Sequence, residues 1–143
     1  MIDEGYKKLE IYQSAHQLAI DVHAMTMNLP KHELYEEGSQ IRRSAKSVSA
    51  QIVEGYCLRR HKNEFLLYLN RAYASAEETN EHLDLLFATG SLRDETGYKH
   101  LRGAYELLCK KLFKFIQSVL ESHESPFYTK EDEPTYTIDN RNP

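Results

Sequence analysis

The sequence predicts an all-α chain, an antiparallel up-down-up-down four-helix bundle over residues 1–121. Three observations lead there. Apolar residues recur at alternating steps of three and four along four separate stretches, each long enough for a helix. Glycine and proline are scarce, with six and four among 143 residues, and only Pro30 interrupts the periodic body. The connections from the second stretch to the third and from the third to the fourth are short, which makes those neighbours antiparallel.

The first helix is expected over about Glu10–Leu29, with Ile11, Ala15, Leu18, Val22, Met25 and Leu29 on one stripe. Pro30 ends it, because the residue before a proline is pushed out of the α region. The second runs from about Ser39 to Gly55 or a little beyond. Ile41, Ala45, Val48 and Ile52 form its stripe, and Gly55 reads as its terminator.

The third is expected over about Lys62–Thr89, with Phe65, Leu69, Ala72, Ala76, Leu83 and Phe87 inward and Thr79 and Asn80 as a polar interruption; Gly90 ends it. The fourth starts after an Asp94 cap and carries Tyr98, Leu101, Tyr105, Leu108, Leu112, Phe115 and Val119. One core of Ile41, Val48, Ile52, Phe65, Leu69, Leu83, Leu101, Leu108 and Leu112 follows. Residues 122–143 lack apolar period and are rich in charge, Thr and Pro, so they read as an extended or disordered tail.

Several function classes are excluded. No apolar run approaches the roughly 18 residues that span a bilayer, and the polar N-terminus is no signal peptide, so a cytoplasmic protein with no membrane partner is expected. Cys57 and Cys109 have no CxxC spacing and read as small buried thiols. The seven histidines form no HExxH or Cys/His cluster, so neither metal nor cofactor is expected. Glu77, Glu78, Glu81 and Asp84 splay over more than half a helix circumference, as a solvated acidic face does. Ser39, Ser44, Ser47 and Ser49 lack a His–Asp arrangement. No catalytic residues emerge, and the chain is not read as an enzyme.

Charge is the informative feature. Between Gln40 and Arg71 lie seven cations (Arg42, Arg43, Lys46, Arg59, Arg60, Lys62 and Arg71) against Glu54 and Glu64, a local net of +5 in a chain whose formal net is −4. Such a patch, centred on a hinge at Leu58–Lys62, suits a polyanion, although exposed helix faces also carry Lys and Arg for solubility. Tyr56, Tyr68 and Tyr73 lie near the hinge and suit either base stacking or ordinary ring burial.

A second surface is suggested by the outer faces of helices two and three. Arg43, Ser47, Ala50 and Glu54 on one, and Leu67, Ala74, Glu78 and Leu85 on the other, combine small and apolar residues with a charged rim. That composition points to self-association.

Longer motifs carry a family resemblance from about Leu9 to Leu120. They are Tyr12-Gln13-x-Ala15-His16-x-Leu18, Leu29-Pro30-Lys31 with Tyr35, Ser39-Gln40-Ile41-Arg42-Arg43-Ser44-Ala45, Ile52-Val53-Glu54-Gly55, and Glu64-Phe65 with Ala72 and Glu77/Glu78. The chain resembles the bacterial four helix bundle protein family, also called the 23S ribosomal RNA intervening-sequence protein family, to which the accessory variability determinant of diversity-generating retroelements is related. The resemblance implies a ring-like homopentamer of four-helix bundles, a link to RNA or nucleic-acid partners, and no known catalysis. It carries Arg42, Arg43, Arg59, Arg60 and Lys62 over as the basic positions. The expectation is an oligomeric binding module for RNA or an RNA–protein complex; the alternative is a scaffold for an acidic protein partner.

Overall fold

The computed structural model describes residues 4–122. Four helices carry most of them: α1 (Glu10–Thr26), α2 (Glu37–Cys57), α3 (Lys62–Ala88) and α4 (Glu95–Glu121). Single 3-10 turns at Gly5–Lys8 and Lys31–Leu34 precede α1 and α2, and no strand occurs among the described residues. The tail expected over 122–143 lies, apart from Ser122, outside the described residues.

Each helix packs on its sequence neighbour, and the α2–α3 contact is the most extensive. Side-chain pairs give the direction of packing. Ser44 shares a hydrogen bond with Thr79 (2.8 Å), Ser47 shares one with Ser75 (3.0 Å), and Gly55 abuts Phe65. Residue numbers therefore rise on α2 as they fall on α3. Phe87 stacked on Tyr98 and Phe65 against Phe115 set the same opposed sense for α3 and α4.

The period of apolar residues explains the core. All nine expected core residues are buried, seven of them completely and Leu101 and Leu108 nearly so. Burying such a side chain contributes roughly 1.5–3 kcal/mol, so four continuous stripes are what holds the helices together. Thr79 and Asn80 are buried with them. Thr79 is satisfied twice, by Ser44 and by donating to the Ser75 carbonyl at 2.8 Å, whereas the side-chain oxygens of Asn80 and Tyr105 have no partner. Burial first, and then the charge of Asp21, push the Tyr105 phenol far above its ordinary range.

Helix ends follow local chemistry. The Asp94 side chain accepts from the Gly97 amide at 3.0 Å and caps α4. Gly90 takes φ +82°, the left-handed conformation glycine tolerates, and the Leu92 amide reaches back to the Leu86 carbonyl at 2.9 Å to close α3. The first helix stops at Thr26 rather than Leu29. Before Pro30 the amides of Met27, Asn28 and Leu29 bond three residues back instead of four, so the last turn tightens out of α geometry.

Gly55 does not end α2, which continues to Cys57. It is buried inside the helix, where a Cβ would lie 3.1 Å from Tyr68 Cβ and 3.4 Å from a Phe65 ring carbon. Its role is close approach, not termination. Two further expectations are corrected. Leu86 rather than Phe87 fills the last core position of α3. Cys57 is exposed while Cys109 is buried. On α4, Leu107, Phe113 and Leu120 stand exposed.

Candidate nucleic-acid and subunit interfaces

The seven cations do not form one patch. At about 1.5 Å per residue, Arg43 and Lys46 sit roughly 20 Å up α2 from the hinge, and Arg71 lies part-way up α3. Arg42 turns inward: its guanidinium donates to Thr26 Oγ1 at 3.0 Å and to the Leu34 carbonyl at 2.7 Å. It clamps the end of α1 to the 3-10 turn before α2. Lys62 also serves the fold, because its ammonium donates to the carbonyls of Leu120 and Ser122, where the C-terminal end of the α4 dipole favours a cation.

Arg43, Lys46, Arg60 and Arg71 are exposed, and Arg59 is half-buried. The Arg59 guanidinium lies 4.0 Å from the Tyr56 ring centre and donates to the Tyr56 carbonyl at 3.0 Å. Arg71 covers Tyr68 in the same manner at 5.2 Å.

These contacts decide the aromatic question for Tyr56. Its ring is 7% exposed, with Arg59 over it and Tyr6 edge-on at 6.2 Å, so it packs and is not open to a base. Tyr73 donates to Glu77 at 3.1 Å, and that bond raises its phenol above the usual range. The rings continue instead onto α1. Tyr6 meets Tyr12 edge-on at 5.1 Å, and Tyr12 stacks on His16 at 5.5 Å. Sequence reading missed this row because Tyr6 sits outside any helical period, on the turn that joins the two helices' rings.

The eight residues expected at a subunit surface lie on α2 and α3. Arg43, Ala50, Glu54, Leu67, Ala74, Glu78 and Leu85 are exposed, and Ser47 is half-buried beside Ser75. The Leu67 and Leu85 side chains keep 43% and 40% of their surface in water, a large apolar exposure on one face. Glu78 is tied to His82 Nε2 at 3.1 Å, while the other ring nitrogen of His82 faces Glu37. Arg43 and Arg71 lie on this same face, so the two surfaces read from the sequence overlap.

Among the described residues no group of three His, Cys, Asp or Glu side chains is placed to hold a metal ion. Burial, then Glu77, push the Cys109 thiol up to about 12, which leaves it protonated and inert at neutral pH. A cleft of about 830 Å³ between α1 and the start of α4 is walled by Met25, Leu29, Leu92 and Leu101, and its Ser91 hydroxyl is committed to Glu33 at 2.6 Å. No described helix is long and apolar enough to cross a membrane.

A family model described as 23S rRNA-intervening sequence protein matches residues 7–114. Among solved structures, the chain is similar to a protein of unknown function from the S23 ribosomal protein family of Bacteroides thetaiotaomicron, with a TM-score of 0.68 and 24% identity. The alignment covers 75% of this chain and 95% of that one, and at this identity it supports the fold alone. No curated protein matches the chain.

Proposed function

Since the chain belongs to the 23S rRNA-intervening sequence protein family, we infer that it is a non-enzymatic, self-associating module whose exposed cations engage RNA. The supporting observation is the division of labour among the seven cations. Arg42 and Lys62 hold the fold together, and Arg43 and Arg71 share a face with exposed Leu67 and Leu85. That face is the subunit contact in this reading, with Glu54 and Glu78 as rim partners. Lys46 on the α1 side of α2, with Arg59 and Arg60 at the hinge, supplies the polyanion contacts in this reading. The bundle is up-down-up-down, the assembly is a homopentamer by family resemblance, and the working compartment is the cytoplasm.

Repetition around a ring multiplies a modest charge into avidity. If about three phosphates are neutralised per engaged site, log affinity for single-stranded RNA should fall with log salt at a slope near −2, roughly −0.7 per contact. Replacing Lys46 and Arg60 with Ala should flatten that slope and weaken binding with little regard to sequence. Failure of the wild-type protein to retain RNA in low salt would end this reading and leave the adaptor for an acidic protein in its place.

The subunit face has its own test. Ala50→Glu with Leu67→Glu places unpaired carboxylates in an apolar contact, which is costly. The double variant should sediment as a smaller species while its helical circular dichroism is unchanged. A wild-type protein that scatters light as a monomer at tens of micromolar would show that Leu67 and Leu85 are merely exposed.

A further inference from the structure

Beside His16 the α1–α2 seam opens into a groove of about 510 Å³, and its lining is unusual for a helix surface. Ala19, Ile20 and Ala24 give it an apolar lining, His16 and His23 stand along one wall, and Ser49 and the cationic Lys46 come from α2. The groove is the continuation of the ring row. Arg59 covers Tyr56, Tyr56 meets Tyr6, Tyr6 meets Tyr12, and Tyr12 stacks on His16 with planes 29° apart. A bond of 3.4 Å between the Tyr12 hydroxyl and His16 Nδ1 helps hold the imidazole against its neighbour. His16 is itself exposed. A flat, supported ring therefore borders an apolar groove, with cations at both ends of the row.

We propose that this groove is a base-stacking pocket for single-stranded RNA. A splayed nucleobase stacks on His16 and lies over Ala19 and Ile20, and the adjoining phosphate is held by Lys46. Stacking on aromatic faces combined with a charged track is how single strands are bound without sequence preference. A-form duplex keeps its bases paired and out of reach of such a slot, so unpaired RNA is the class selected. Lys46 and Arg60 are about 20 Å apart along α2, a few nucleotides of extended strand, which gives the backbone a path from the groove to the hinge. Of the carboxylates near that end, Glu4 is engaged by Lys7 at 3.2 Å and Glu10 by Lys111 at 3.0 Å, while Glu54 and Glu64 flank the hinge exposed. This inference rests on the RNA reading above and narrows it to unpaired RNA.

The experiment compares a short fluorescent single-stranded RNA of mixed sequence with the same strand annealed to its complement, on the full chain. Single strand should bind at least about tenfold tighter than duplex, and His16→Ala should remove about tenfold of single-strand affinity while leaving the salt slope unchanged. His16→Phe should retain it. Because His16 is exposed, its substitution leaves folding intact, which circular dichroism checks. Equal affinity for both RNAs, or His16→Ala binding like wild type, overturns the pocket while the electrostatic reading stands. Loss of all RNA binding by the wild-type chain in low salt overturns both.

Discussion

Truncating Leu69 or Leu108 to Ala is expected to cost about 2–5 kcal/mol of folding stability each. Both side chains are essentially excluded from water, Leu69 facing inward from α3 and Leu108 from α4. Removing three carbons from either leaves a void that helices fixed by neighbouring contacts close only in part. The loss is then the transfer free energy of the missing atoms plus a cavity term. Against a total of about 5–15 kcal/mol for a domain of this size, either change removes a large share of the margin. Urea denaturation followed by circular dichroism measures it as a lowered midpoint with an unchanged slope. Near-neutral effects at both positions would contradict a single shared core.

Arg42→Ala should be the most damaging change among the seven cations, at about 2–3 kcal/mol. The guanidinium bridges the fully buried Thr26 hydroxyl and the Leu34 carbonyl, so its removal leaves the Leu34 acceptor without this donor and unfastens the α1–α2 connection. Lys at this position should recover little, because one ammonium lacks the planar fork that reaches two acceptors. Affinity for RNA, corrected for the folded fraction, should stay within about twofold of wild type. The opposite pattern, full stability with a flattened salt slope, would return Arg42 to the RNA surface.

That contrast marks where sequence reading succeeded and where it stopped. The stripe of Ile41, Ala45, Val48 and Ile52 was legible because its period is the helix's own, and burial follows from period alone. Asp94 and Gly90 were legible because caps and left-handed turns demand particular residue types. Gly55 was misread because glycine marks both a helix end and a close approach, and only the position of Phe65 and Tyr68 distinguishes them. Arg42 and Lys46 are alike in the sequence, each a cation on a helix. One folds back onto a carbonyl eight residues earlier and the other stays in water, a difference made by the turn before α2. The candidate groove was harder still, since it is assembled from α1 and α2 residues nearly thirty positions apart and from a ring row routed through Tyr6.

The hydroxyl pairs between α2 and α3 have a consequence for how uniquely the chain finds its arrangement. Methyl stripes grip almost equally well if one helix slides past another by a turn, since one Leu replaces another. Ser44 with Thr79 and Ser47 with Ser75 do not permit that exchange. A shift by one turn would break both pairs and set these hydroxyls against hydrocarbon, at a cost of about 0.5–1.5 kcal/mol for each bond lost. The two pairs act as a key that rejects neighbouring alignments while adding little to the grip itself. What looks like a break in the apolar pattern at Thr79 thus selects which of several similar packings the molecule occupies.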